Sequence, residues 1–174
     1  MYRFICVSAI AGLLGSALLA QQDDPKTASS LSTADQTFIQ DAASINQTEV
    51  ALGPLAQKSS NPRVKAFGRR LEADHSKAQK ELESLAAAKG VALERFDSSK
   101  SPEYGKLSAM SGAEFDRAFA TQMVEGHKKA IALYEQALKT TRDPDLRTYI
   151  NNTLPALRTH LREAETLQRS LGKG

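Results

Sequence analysis

The three histidines of the chain, His75, His127 and His160, each lie on or beside an apolar row in a different helical pattern. A fourth pattern carries Glu49 in its own row. The stretch "RRLEADHSKAQKEL" shows the anomaly best. Its row runs Val64, Phe67, Leu71, then Ala78, Leu82 and Leu85, with Asp74 and His75 standing where a core-facing leucine belongs. Burying such groups without partners is costly, so a polar layer inside a core must satisfy itself or hold an ion. Imidazole and carboxylate without sulfur suit a transition metal: iron, zinc, manganese or copper.

Further acids surround these positions. Glu72 precedes His75 by three residues and shares an adjoining part of its helix face. Asp74 is placed to accept the second imidazole N–H of one of the histidines, which would fix its tautomer. Glu125 precedes His127 by two, and Glu163 follows His160 by three. The candidate ligands are therefore Glu49, His75, His127 and His160, with Glu72, Asp74 and Glu125 as outer groups or alternative ligands. Taken singly, a histidine on a helical row is most often a core residue hydrogen-bonded to a neighbour. The set is more informative, because all four residues fall near mid-helix. Glu49 and His75 are 12 and 14 residues from Asn61, and His127 and His160 are 16 and 17 residues from Asp143. At a rise of ~1.5 Å per residue the two members of each pair differ in height by about 3 Å or less.

Four amphipathic helices would have to position these groups. The first runs from about Thr33 to Gln57, with Phe38, Ala42, Ile45, Glu49, Leu52 and Ala56 on one stripe. The second opens with Asn61 as cap and Pro62 as first helical residue, and closes at Lys89-Gly90. The third opens at "SGAEF", where Ser111 and Glu114 have capping-box spacing. The fourth opens with Asp143 and Pro144, and Pro155 within it predicts a kink. The connection from Val91 to Met110 is long for a bundle and has room for a short helix around Pro102 to Ser108. Two tight turns and one long link predict an all-α fold, an antiparallel four-helix bundle made of two hairpins.

Composition agrees. Aromatic residues are only 6% of the chain and Trp is absent, which disfavours sheets. The net charge of +3 is small and its charges are interleaved, as on solvated helix faces, which argues against nucleic acid as a partner. The N-terminal "MYRFICVSAIAGLLGSALLAQQDDP" has a basic Arg3, an apolar run and small residues suited to cleavage after Ala17 or Ala20. Residues 1–20 are thus expected to be a signal peptide, residues 21–32 a polar disordered tether and residues 33–174 the bundle. The exported protein would be cysteine-free, since Cys6 lies in the apolar run; disulfides, thiolate sites and a Cys nucleophile are excluded. It would not stay inserted in a membrane. No Gly-rich phosphate loop or Ser-based nucleophile motif is present.

"EVALGPLAQKSSNPRVKAFGRRLEADH", "SGAEFDRAF", "MVEGHKKAI" and "LPALRTHLREAETL" together resemble DUF4142, a bacterial family of exported periplasmic or outer-membrane proteins. The likeness spans about Thr33 to Leu171. It implies a ferritin-like four-helix fold and a periplasmic location, with association to the outer membrane open, and it supplies no activity. The family's recurring polar positions fall on Glu49, Asp74, His75, His127 and His160. One departure stands out: where the family reads Asp-His in the third helix, this chain has Gly126-His127. Ferritin-like di-iron sites use two Glu-x-x-His motifs. Only Glu72-x-x-His75 fits that spelling, and Leu157 stands where the second glutamate would be, so a histidine-richer site is expected.

Three functions follow from these residues. The first is an exported metal-binding protein for storage or redox chemistry. The second is a non-catalytic envelope stress or interaction module whose polar layer only sets helix register, with a second copy or an envelope protein as partner left open. The third is acid sensing, through histidines that loosen the bundle as pH falls.

Overall fold

The computed structural model describes residues 31–172. The expected signal segment and nearly all of the expected tether lie outside the described residues. Within them the fold is all helical: α1 (Thr33–Ala56), α2 (Pro62–Ala88), α3 (Pro102–Ser108), α4 (Gly112–Thr140) and α5 (Pro144–Leu171). A 3-10 turn, Ser98–Lys100, precedes α3. No helix among the described residues is long and apolar enough to cross a membrane.

The helix ends follow their capping chemistry. Ser32 and Asp35 form a reciprocal capping box that opens α1. Asn61 accepts from the Arg63 amide, and Asp143 accepts from the Asp145 and Leu146 amides, each ahead of a first-turn proline. Gly90, at φ 69, terminates α2 where a side chain would be strained. The start of α4 corrects the sequence expectation. Ser111 makes no side-chain capping bond. It is solvent-exposed beside Gly112, which is at φ 58, and an exposed helix start does not depend on a side-chain cap. Both α1 and α5 continue as single helices through Pro54 and Pro155.

Side-chain pairings define the topology. In α1 and α2 the approaches run antiparallel, from Asn46–His75 to Ala56–Gly68. In α4 and α5 they run from Tyr134–Tyr149 to Thr121–Gln168, again antiparallel. Asp74–His160 and Lys89–Asp143 join α2 to α5, and Phe38–Tyr134 joins α1 to α4. The end of α2 and the start of α4 therefore lie at opposite ends of the bundle, and residues 89–111 cross its length. Gln40 on α1 pins this crossover through the Ala92 carbonyl and the Glu94 amide. One long crossover between two hairpins is the ferritin-like connectivity.

Close approach and clamping fix the hairpins. A Cβ on Gly68 would sit 2.6 Å from the Ala56 Cβ, so α1 and α2 pack against each other at a distance only glycine allows. Asp116, the acid of the "EFDRAF" stretch, is buried and accepts from Ser59 Oγ at 2.6 Å, tying the α1–α2 turn to α4.

The hydrophobic core falls into two clusters. One holds Phe38, Ile39, Leu82, Tyr134, Ile150 and Leu157; the other holds Leu52, Leu71, Phe67, Phe119, Met123 and Leu167. Between them lies the polar layer.

A candidate metal centre

Each of the three histidines comes to that layer from a different helix: His75 from α2, His127 from α4 and His160 from α5. All are at most 2% exposed. Their ring centroids are 5.8 Å (His75–His127), 5.3 Å (His75–His160) and 5.3 Å (His127–His160) apart. One ring nitrogen from each lies within 4.8 Å of the others. Nitrogens sharing one ion, each ~2 Å from it, are at most ~4 Å apart, so small side-chain rotations close the set.

The hydrogen bonds explain which nitrogens are free. His75 Nδ1 meets Asn46 Oδ1 at 3.0 Å, His127 Nδ1 meets the Met123 carbonyl at 2.9 Å, and His160 Nε2 meets Asp74 Oδ2 at 2.9 Å. The Met123 carbonyl and the Asp74 carboxylate can only accept, so His127 Nδ1 and His160 Nε2 carry protons and donate; with the Asn46 amide oxygen turned toward it, His75 Nδ1 donates as well. In a neutral ring the other nitrogen then has a lone pair. Those nitrogens, His75 Nε2, His127 Nε2 and His160 Nδ1, are buried and have no hydrogen-bond partner. Anchored outward N–H groups and open inward lone pairs are how metal-ligating histidines are built.

Electrostatics keep two of the rings neutral. Burial pushes the His75 imidazolium well below the ordinary histidine range, and His127 and His160 push it further. Burial likewise lowers His127 to about 4, with His160 adding to the effect and the bond to Met123 opposing it.

Glu49 sits beside the layer. It is 7% exposed and its Oε2 has no partner. Burial, with the nearby Glu103 carboxylate second, raises it to about 8. It lines a cavity of about 270 Å³ together with His75, His127, Glu103 and Gly126. Glu49 is not within the 4.8 Å set, which consists of the three histidines.

The remaining acids are placed by helix geometry. Asp74 is half-exposed and holds His160. Glu72 turns toward α1 and accepts from Gln57 Nε2. Glu125, about 200° around the helix from His127, is exposed. Glu163 pairs with Arg70 on the surface. These acids do not reach the three free nitrogens.

The family profile described as Domain of unknown function (DUF4142) matches residues 20–167. The chain belongs to the DUF4142 family. No curated protein matches it. Among solved structures, a DUF305 fragment from Deinococcus radiodurans is similar with a TM-score of 0.68 at 16% identity, covering 83% of this chain and 99% of that one. CopM is similar in its Cu(I)-bound form, with a TM-score of 0.65 at 18% identity, and in its Cu(II)-bound form, with 0.64 at 17%. Each CopM match covers 78% of this chain and 96% of that chain. These likenesses establish a shared helical fold.

Gly126 is the residue at which this DUF4142 chain departs from the Asp implied by the resemblance. A Cβ there would lie 3.8 Å from Glu49 Oε1, an ordinary contact, so a side chain at this position would stand next to that carboxyl group. Exposed Glu125 does not replace it. Asn46, Tyr149 and Tyr134 are additional members of the layer that the sequence pattern did not single out. Asn46 is four residues after Ala42 and three before Glu49, on the buried stripe, and that spacing is the signal that could have found it.

Proposed function

We propose that this DUF4142 protein is an exported transition-metal-binding bundle that holds one ion between His75, His127 and His160. One observation carries the reading: three clustered imidazoles each keep one buried ring nitrogen without a partner while the opposite nitrogen of every ring is anchored. A layer that served only to set register would be expected to satisfy itself. Three imidazoles without a carboxylate among them suit copper, zinc or iron better than manganese. The CopM structures with copper bound make copper the first metal to try. A bound copper or iron would supply one-electron chemistry, whereas zinc would supply a Lewis acid.

The roles of the surrounding groups follow. Asp74, Asn46 and the Met123 carbonyl orient the rings. Glu49 lines a cavity with His75 and His127 and would offer a carboxyl group beside a bound ion. His75 and His127 are neutral with lone pairs available, so an arriving ion displaces no proton from either ring near neutral pH.

A metal titration followed by thermal unfolding tests the reading. Saturating copper or zinc at ~100 times Kd should stabilise the fold by about 2.7 kcal/mol, which is ~5–10 °C in Tm for a chain of this size. A dialysed protein whose Tm does not move with copper, zinc or iron would overturn it and leave a structural layer.

A further inference from the structure

Beyond the ligands, a buried hydrogen-bond relay leads away from His75 into the first apolar cluster. Tyr134 and Tyr149 hydroxyls are 3.1 Å apart, Asn46 Nδ2 donates to the Tyr149 hydroxyl at 3.2 Å, and Asn46 Oδ1 is 3.0 Å from His75 Nδ1. Tyr134 and Asn46 are fully buried and Tyr149 is 5% exposed, so water does not compete for these bonds.

The relay has two self-consistent directions. In the first, His75 Nδ1–H donates to Asn46 Oδ1, the amide donates to Tyr149, and Tyr149 donates to Tyr134. In the second, every donor reverses: Tyr134 donates to Tyr149, Tyr149 to the turned amide oxygen, and the amide N–H to a deprotonated His75 Nδ1. The proton of His75 would then sit on Nε2 and point into the layer. Only the first direction leaves His75 Nε2 with a lone pair. The amide has one oxygen and one N–H₂, so it cannot satisfy both neighbours in a mixed arrangement.

We propose that Asn46, oriented by Tyr149 and Tyr134, is the positioning residue that selects the His75 tautomer and thereby decides whether this imidazole can act as a ligand. His127 and His160 have no such choice. Their partners, a carbonyl and a carboxylate, accept only. His75 is the one ring whose anchor can turn over, which makes the relay the point where the site can be opened or shut without moving a helix. The inference rests on the metal-site reading for its consequence, though not for its first readout.

That readout is the tautomer of His75 in metal-free protein, followed by NMR with ¹⁵N- and ¹³C-labelled histidine. The wild type is expected to show Nδ1–H at His75. Asn46→Asp, which accepts only when ionised, should keep Nδ1–H at pH values where the carboxylate is formed. Asn46→Leu should shift the population toward Nε2–H and weaken zinc(II) binding by about 10–100-fold, the usual effect of losing a group that orients a ligand. Tyr149→Phe removes the amide's acceptor and should give a mixture of tautomers with the Asn46 side chain intact, so it serves if the Leu variant folds poorly. An Nε2–H ring in the wild type, or an unchanged His75 tautomer in both Asn46→Leu and Tyr149→Phe, overturns the proposal. Wild-type protein that binds no zinc(II) while its tautomers respond as described would sink the metal reading and leave the relay standing.

Discussion

Two buried polar regions of this molecule are built on opposite plans. At the α4–α5 turn, Asp143 is 1% exposed, yet each of its oxygens is satisfied. Oδ2 takes Lys89 Nζ at 2.7 Å, and Oδ1 takes the amides of Asp145 and Leu146 at 3.0 and 2.9 Å. Burial would push this carboxyl up, but Lys89 and the two amides more than offset it and hold it below the ordinary range. In the mid-bundle layer the same degree of burial leaves three imidazole nitrogens and one carboxylate oxygen without partners. The first region completes its own bonding and so serves architecture: it caps α5 and ties α2 to it. The second leaves its bonding open toward a common point, which is how a fold gives up stability for a ligand.

The two plans respond oppositely to perturbation. The largest effect is expected from acid. An unfolded histidine takes its proton near 6.5, while folded His127 resists until about 4, so protonation favours unfolding across that window and is without effect above it. His127 alone should remove about 3 kcal/mol between pH 6.5 and 4, and His75 acts in the same direction. Glu49 works the other way: unfolded it ionises near 4.5 and folded only near 8, so rising pH favours unfolding between those values. Below 6.5 two histidines outweigh one glutamate; above 6.5 only Glu49 acts. Denaturant unfolding of metal-free protein should therefore show maximum stability near pH 6.5, and a flat profile from pH 5 to 7.5 would dispose of the acid response.

Next in size is Lys89→Met, which strands buried Asp143 and should destabilise the fold by about 3 kcal/mol in urea unfolding while metal affinity stays unchanged. Gly68→Ala, forcing α1 from α2 where a Cβ meets Ala56, should cost about 2 kcal/mol with metal affinity again the lesser change. The smallest stability effect is expected at the site itself. His127→Leu removes an unpartnered nitrogen and strands nothing, because the Met123 carbonyl keeps its helical bond. Urea unfolding of the metal-free variant should be within about 1 kcal/mol of wild type, on either side. A loss of 3 kcal/mol or more there would place His127 with Asp143 as architecture.

Much of this arrangement was legible in the chain, for reasons that can be named. The helices were readable because Asn61-Pro62, Asp143-Pro144 and Lys89-Gly90 state their ends locally, and the short helix from Pro102 to Ser108 opens on its proline. The histidines were readable because each interrupts an apolar row. What escaped depends on contacts between distant segments. Ser111 and Glu114 have capping-box spacing, but exposure to water removed the need for the bond. Gly53 and Gly68 are 15 residues apart and reveal their close contact only once the hairpin closes. Asp74 was expected to hold one of the histidines, but that the partner is His160, 86 residues away, shows only in the fold, as does the hydroxyl that Tyr149 contributes to the relay. Asp74 takes the outer role expected of it, on His160, whereas Glu72 accepts from Gln57 and Glu125 is exposed, because helical rotation separates neighbours by about 100° per residue.

The most direct measurement is elemental analysis of the protein purified from its native cells, alongside His127→Leu prepared identically. The account predicts about one transition-metal ion per chain in the first, the number the three-nitrogen cluster among the described residues can hold, and none above background in the second. Metal at background in both, or at the same level in both, would contradict it.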